Sequence, residues 1–392
     1  MLILISIGFL QYFNNWSDII FLMKWLAVAF LGILVIVFAF VVTSNKTQIE
    51  NSVMRATSSP QTTSTPDPNS PITETIATGL QVPWAIIFLP NSKDMLVTEC
   101  TGFLVKISGG NKTTIATLPS KQIGEGGLLG MTLDPEFSNN HYIYFYYTYS
   151  ENGALNRIVR YKFENDKLSD EKILVDKIPG NSNHDGGRLK FGPDGFLYAT
   201  TGDASDPSHA QEKNSLSGKI LRMTRDGSPA PGNPFGTLVY SYGHRNPQGL
   251  AWDNGGQLWS TEHGRSAPTG YDELNKIEAG KNYGWDTIQG SETRDGMVTP
   301  VINSGANNTW APAGAIFLNG KIYFGGLKGA AIYEYDIAKN SINELFKNQF
   351  GRIRDVELGP DGAIYISTSN QDGRGNPIAE DDRIIKINPS KL

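Results

Sequence analysis

The sequence predicts an all-β protein, a six-bladed β-propeller, preceded by an N-terminal transmembrane helix and a disordered tether. Three observations carry this. From Thr73 onward, short apolar-aromatic runs alternate with Gly, Asn, Asp and Pro turns, the punctuation of strands rather than helices. One unit, a turn often reading Pro-Asp-Gly followed by such a strand, recurs six times, at intervals of about 40 to 65 residues, the size of a four-stranded blade with its loops. An uncharged apolar run near the N-terminus has the length of a membrane span.

That run is "WLAVAFLGILVIVFAFVV", Trp25 to Val42, preceded by Lys24. At about 1.5 Å rise per residue it spans roughly the ~30 Å hydrocarbon core of a bilayer. A cleaved signal peptide is the alternative, but the run exceeds the usual ~7–15 apolar residues of such a leader and lacks a clear small-x-small site. Met23-Lys24 would give a conventional short basic leader if it were the start. Residues 1–44 are therefore assigned as membrane anchor or signal segment. "TSSPQTTSTPDPNSP", Thr57 to Pro71, holds almost no apolar residue and cannot pack, so 45–72 is read as a Ser/Thr/Pro-rich linker. Anchor and tether place residues 73–392 outside the cytoplasm, although Lys24 and Lys46 flank the run evenly and do not orient it.

The six units begin at Phe88 ("FLPNSKDMLVTE"), Leu133 ("LDPEFSNNHYIYFYYT"), Phe191 ("FGPDGFLYATTGD"), Ala251 ("AWDNGGQLWSTEHG"), Phe317 ("FLNGKIYFGG") and Leu358 ("LGPDGAIYISTSN"). Their equivalent strand positions are Leu96, Ile143, Leu197, Leu258, Ile322 and Ile364. A large β-sandwich would use the same turns, but not at regular recurrence. "DRIIKINPS", with nothing downstream to pair, is expected to pair with the first blade and close the ring. A propeller gathers ligands over its central channel, yet the fold alone names no function.

Net charge is −5, which excludes a broad basic surface for nucleic acid. The single cysteine, Cys100, excludes an intrachain disulfide framework and a CxxC metal site. No HExxH spacing supports zinc hydrolysis.

The remaining polar clusters are local. In "GRIRDVELGPDG", strand alternation puts Arg352 and Arg354 on one face. A solvated face is the plain alternative, because paired guanidiniums repel unless an anion sits between them. "GGLKGAAIY" adds Lys328, and "YGHRNPQGLAWD" adds Arg245, Asn246 and Gln248. Together these donors suit a polycarboxylate or phosphate ligand. His184, one of five histidines, stands in the glycine-rich turn of "NHDGGRLKFGPDGFLYATTGD", with Asp203 at the end of the strand that follows. A carboxylate-held histidine is what a general base requires; an ordinary loop histidine is the alternative. The segment from Thr261, "TEHGRSAPTGYDELNKIEAGKNYGWD", offers Asp272, Glu273, turn carbonyls and a tyrosine. Those are oxygen ligands of the kind calcium takes, although the spacing is not an EF-hand.

"EGGLLGMTLDPEF", "NHDGGRLKFGPDGFLYATTGD", "GKILRMTRDGS", "YGHRNPQGLAWD", "DELNKIEAGKNYGW", "LKGAAIYEY" and "GRIRDVELGPDG" occur in that order. From about Ile76 to the C-terminus the chain thereby resembles the soluble PQQ-dependent glucose/sorbosone dehydrogenases, in particular their aldose sugar dehydrogenase branch. The resemblance implies oxidation of an aldose at C1 to its lactone, with hydride passing to PQQ. It implies His184 as the general base and Asp203 as its orienting carboxylate. It further implies that Arg245, Asn246, Gln248, Lys328, Arg352 and Arg354 hold the cofactor, with Thr309 a further contact. Calcium at the PQQ would take the carbonyls of Gly264 and Arg265, and a second calcium would fall on Glu273 and the Tyr283 carbonyl. Glu125 stands beside the cofactor where some relatives carry glutamine, and a carboxylate next to an anion needs a proton or a cation. Asn183 stands where some have aspartate, and Arg265 replaces a proline. The external electron acceptor implied is a quinone or redox protein.

Two rivals remain at this level. A calcium-dependent propeller lactonase or esterase would need several carboxylate and asparagine ligands around a central metal, and no arginine pair. A non-catalytic propeller binding carbohydrate or protein would tolerate replacement of His184.

Overall fold

This computed structural model describes Lys24, residues 66–265 and residues 270–392. The anticipated membrane helix, Trp25–Val42, and most of the tether lie outside the described residues. Among those described, no helix is long and apolar enough to cross a membrane.

Twenty-four strands form six four-stranded antiparallel sheets. β1 (Thr73–Ala77) comes first and belongs to the last blade. Blade 1 is β2 (Pro83–Phe88), β3 (Met95–Glu99), β4 (Phe103–Ser108) and β5 (Asn111–Thr117). Blade 2 is β6 (Leu128–Leu133), β7 (Tyr142–Ser150), β8 (Ala154–Glu164) and β9 (Lys167–Pro179). Blade 3 is β10 (Leu189–Phe191), β11 (Leu197–Thr201), β12 (Lys219–Met223) and β13 (Val239–Tyr242). Blade 4 is β14 (Pro247–Trp252), β15 (Leu258–Glu262), β16 (Glu273–Ile277) and β17 (Ile302–Asn303). Blade 5 is β18 (Pro312–Leu318), β19 (Lys321–Gly326), β20 (Ala331–Asp336) and β21 (Ser341–Leu345). Blade 6 is β22 (Ile353–Leu358), β23 (Ile364–Thr368) and β24 (Ile384–Ile387), completed by β1.

Each of the six repeat positions falls on the second strand of its blade, and all six side chains are buried. The repeated turn is thus the hairpin between first and second strands, pairing Phe191 with Leu197 and Leu358 with Ile364. Second strands such as β3, β11, β15 and β23 are buried at every residue, because neighbouring blades cover both faces of the sheet. The outermost β5 is mostly exposed.

The innermost strands pack in a ring: β22 on β2, β2 on β6, β6 on β10, β14 on β18 and β18 on β22, with β11 joining β14. Closure differs from expectation. β24 stays within its own blade, and β1, from before the first blade, pairs with it through Thr73–Ile387 and Thr75–Ile385. The unpaired edge of the last blade is what recruits it.

β22 does not alternate simply, because its register slips between Ile353 and Asp355. Similar bulges interrupt β2 between Pro83 and Ala85 and β14 between Pro247 and Gly249. Bulges re-aim side chains beside functional sites, and here the extra residues are Trp84, Gln248 and Arg354.

Candidate active site

All of the candidate chemistry sits at one mouth of the channel. His184, Arg245, Arg352 and Glu125 precede innermost strands, and Asp203 and Lys328 follow second strands. Chain direction puts both kinds of end at the mouth opposite the repeated turns.

His184 is held from two sides. Its Nδ1 lies 2.7 Å from Asp203 Oδ1, and Asp203 is fully buried. The other Asp203 oxygen accepts the Trp285 indole N–H at 2.7 Å, while Oδ1 also accepts the Ser205 amide at 2.8 Å. A carboxylate that only accepts puts the imidazole proton on Nδ1 and leaves Nε2 as the basic atom. No hydrogen bond reaches Nε2 among the described residues. The backbone adds to the fix: His184 has φ 63°, left-handed for a non-glycine. A Cβ on Gly202 would lie 1.8 Å from the His184 carbonyl oxygen, so only glycine fits there.

Around this pair the cationic residues converge. Arg245, Arg352 and Arg354 are all buried. Arg354 Nη1 donates to Gln248 Oε1 at 2.6 Å, a bond between the non-adjacent blades 6 and 4 that reaches past blade 5 at the channel. Below it Arg188, at the entry to blade 3, pairs with Asp355 of the opposite blade at 3.0 Å. Both guanidiniums, Arg188 and Arg354, lie over the Trp84 ring, at 4.2 and 5.8 Å, a face that attracts cations. These contacts plug the channel. They separate the His184 mouth from a cavity of about 770 Å³ on the far side, lined by Pro90, Pro135, Lys190, Glu357 and Pro360.

Burial pushes Arg245 and Arg354 below the ordinary guanidinium range, against the pull of Asp203 on Arg245 and of Asp372 on Arg354; both stay charged at neutral pH. Asn246 Oδ1 accepts the Gly186 amide at 3.0 Å, tying the arginine turn to the histidine turn. Arg354 Nε and Asn246 Nδ2 are buried donors without an acceptor among the described residues. Buried donors demand partners, and a ligand rich in carboxylate and carbonyl oxygens supplies them. Lys328 is exposed, and among the described residues no ion pair holds it.

The anticipated calcium residues group around blade 4. Glu273 faces Glu262 across the β15–β16 ladder, and burial together with Glu262 pushes its carboxyl well above the usual range. No cation pairs with Asp272 or Glu273 among the described residues, so a divalent ion would relieve this crowding. Gly264 donates its amide to Asp272 Oδ1 at 2.8 Å. Thr309 gives its hydroxyl proton to Asp272 Oδ2 at 2.7 Å rather than holding it toward the channel. Arg265 covers the Trp285 ring at 5.0 Å. Tyr283 stacks on His244 with centroids 4.7 Å apart. No group of three or more His, Cys, Asp or Glu side chains is arranged for a metal among the described residues, which leaves backbone carbonyls to complete any calcium shell.

Several supporting residues escaped the sequence reading. Trp285, in the "NYGW" run, fixes Asp203. Glu262 accepts from the Arg245 amide and lies 2.8 Å from His244 Nδ1, so it anchors the "GHRN" turn. Ser241, His244 and Glu262 resemble a hydrolytic triad in their contacts, but all three are buried beyond reach of a substrate. Asp372 pairs with Arg352 at 2.7 Å, and Arg374 with Glu125 at 2.8 Å; nothing in the local sequence marks either.

Residues 80–380 match the model of the glucose/sorbosone dehydrogenase family. The chain belongs to that family. Among glucose/sorbosone dehydrogenase relatives, it is 31% identical to the aldose sugar dehydrogenase of Escherichia coli, over 81% of this chain and 92% of that protein. It is 31% identical to quinoprotein glucose dehydrogenase B of Acinetobacter calcoaceticus, over 60% of this chain and 56% of that one. The PQQ-bound aldose sugar dehydrogenase of Streptomyces coelicolor superposes with a TM-score of 0.75 at 38% identity, covering 80% of this chain and 96% of the other.

Proposed function

We propose that this protein oxidises an aldose at C1 to the lactone, with PQQ and calcium as cofactors. Family membership supports a PQQ-dependent sugar dehydrogenase; the lactone product, the calcium and the histidine mechanism are our reading. The observation that carries it is the His184–Asp203 pair at 2.7 Å in the same mouth as three buried arginines.

In this reading His184 Nε2 takes the proton of the anomeric hydroxyl as the C1–H bond breaks and C1–O becomes a carbonyl. Asp203 keeps the ring oriented and stabilises the imidazolium that results. PQQ, when bound, supplies the two-electron acceptor for the C1 hydride. Arg245, Asn246, Gln248, Lys328, Arg352 and Arg354 would hold its carboxylates and carbonyls, and the unpartnered Arg354 Nε and Asn246 Nδ2 fit that donor role. Calcium on the carbonyls of Gly264 and Arg265 would supply Lewis-acid polarisation, with Glu273 and the Tyr283 carbonyl serving a second ion. The uncharged run Trp25–Val42 supports a membrane-anchored, extracytoplasmic enzyme whose acceptor is a quinone or an exported redox protein.

The full chain, purified in mild detergent and given PQQ and calcium, should reduce an artificial dye with aldoses and retain quinone absorbance after gel filtration. Neither dye reduction nor retained quinone would leave a hydrolytic or purely binding propeller as the better account.

A further inference from the structure

Arg374 lies on the loop after β23, with nearly half of its side chain exposed, and crosses the mouth to reach Glu125. Its Nη1 meets Glu125 Oε1 at 2.8 Å, and its Nη2 reaches Asn183 Oδ1 at 3.5 Å. The second Glu125 oxygen accepts the His184 amide at 3.1 Å, and the Glu125 amide donates to the Ser182 carbonyl at 2.9 Å. On the other side Asp372 Oδ1 accepts the Arg374 amide at 2.9 Å, while its Oδ2 takes Arg352 Nη2 at 2.7 Å. A continuous polar chain therefore runs from Arg352 through Asp372, Arg374 and Glu125 to the backbone of His184.

Among the described residues Asp372 is already paired with Arg352 at 2.7 Å, whereas Glu125 is a carboxylate that a polyanionic ligand at Arg352 and Arg354 would confront at the same mouth. Its side chain is only 16% exposed, so water screens it poorly. Burial works against its charge; His263 where protonated, then the His184 amide, Arg374 and Arg354, together outweigh burial and hold the carboxyl below its ordinary value.

We propose that Arg374 is a positioning residue: by neutralising Glu125 and fixing it on the His184 amide, it lets an anionic quinone share the mouth with that carboxylate. The inference rests on the PQQ reading above and adds to it the residue that makes a glutamate tolerable there. Because the Arg374 side chain is nearly half exposed and Glu125 keeps its bond to the His184 amide without it, the ion pair contributes little to folding. Its effect falls on binding, where an uncompensated like charge repels the ligand.

The test is equilibrium titration of PQQ into the metal-supplemented full chain, followed by quenching of tryptophan fluorescence, for wild type, R374A, R374K, E125Q and the double variant E125Q/R374A. R374A should raise the Kd about tenfold with an unchanged Tm, R374K should stay near wild type, and E125Q/R374A should return to within about twofold of wild type. That rescue is what a merely structural role cannot give. Wild-type affinity in R374A, or a double variant as weak as R374A, overturns the assignment while leaving the enzyme reading intact. No PQQ binding by wild type removes both.

Discussion

His184 does its work through what surrounds it. Left-handed backbone at a non-glycine costs about 1–3 kcal/mol, and the close approach of Gly202 to its carbonyl shows where the surrounding structure enforces it. Asp203 then meets three donors: the imidazole Nδ1, the Trp285 indole and the Ser205 amide. Asn at this position has one acceptor and one donor edge, so one of these N–H groups must face an amide N–H. If the imidazole keeps its bond by changing tautomer, the proton moves to Nε2 and the base is lost. Asp203→Asn should therefore lower kcat by about 10² to 10⁴ while the Kd for PQQ changes less than about threefold. Stopped-flow single-turnover rates separate the two, and a variant that turns over normally would show that Asp203 does not set the tautomer.

The loops that carry these residues are anchored differently from the strands beneath them. The 180–185 turn is pinned by Asp185, whose Oδ1 accepts Asn156 Nδ2 at 2.9 Å and the Asn181 amide at 3.2 Å. Its Oδ2 is buried with no partner among the described residues. Burial, opposed by those two bonds, pushes the carboxyl up to about 7. A carboxyl raised on folding binds more protons in the folded state, so its contribution to stability is full below the unfolded value near 4 and is lost as pH rises through 7. Asp185→Asn removes that slope: the Tm of the variant relative to wild type should rise between pH 5 and pH 8 in calorimetry, whatever its constant offset. A relative Tm that stays flat would mean the carboxyl is not protonated in the fold. None of this was legible in the sequence, where Asp185 reads as another turn aspartate. The strands were legible, because the six repeat positions are hydrophobic for a local reason: each is buried between two blades. The His184–Asp203 pair was legible too, since one hairpin separates them. What the alternation rule missed in β22 is the bulge, which depends on register with β23 rather than on the order of residues in one strand. Likewise Arg374 and Glu125 stand far apart in sequence, and only ring closure brings them together.

That closure sets the geometry of the mouth as a whole, since contacts between non-adjacent blades hold only while the ring is shut. Arg354 of blade 6 meets Gln248 of blade 4, and Arg188 meets Asp355 across the axis. Blade 6 is tied to blade 1 through β1, through the Leu80 and Asp382 backbones, which exchange bonds at 2.9 and 3.1 Å, and through Asn388 Nδ2 on the Asp67 carbonyl at 2.9 Å. Removing residues 66–77 takes away β1 and the Asp67 contact but leaves Leu80. The edge of β24 then stands open, a template for pairing with another chain. Loss of one five-residue strand and its burial should lower the Tm by about 5–10 °C, and gel filtration should show concentration-dependent self-association beyond that of wild type. Affinity for PQQ should fall further than the Tm change accounts for, because the arginines of blade 6 are no longer held against blades 1 and 4. A deletion variant that elutes and melts with wild type and binds PQQ as tightly would show that the inner strands close the ring without β1.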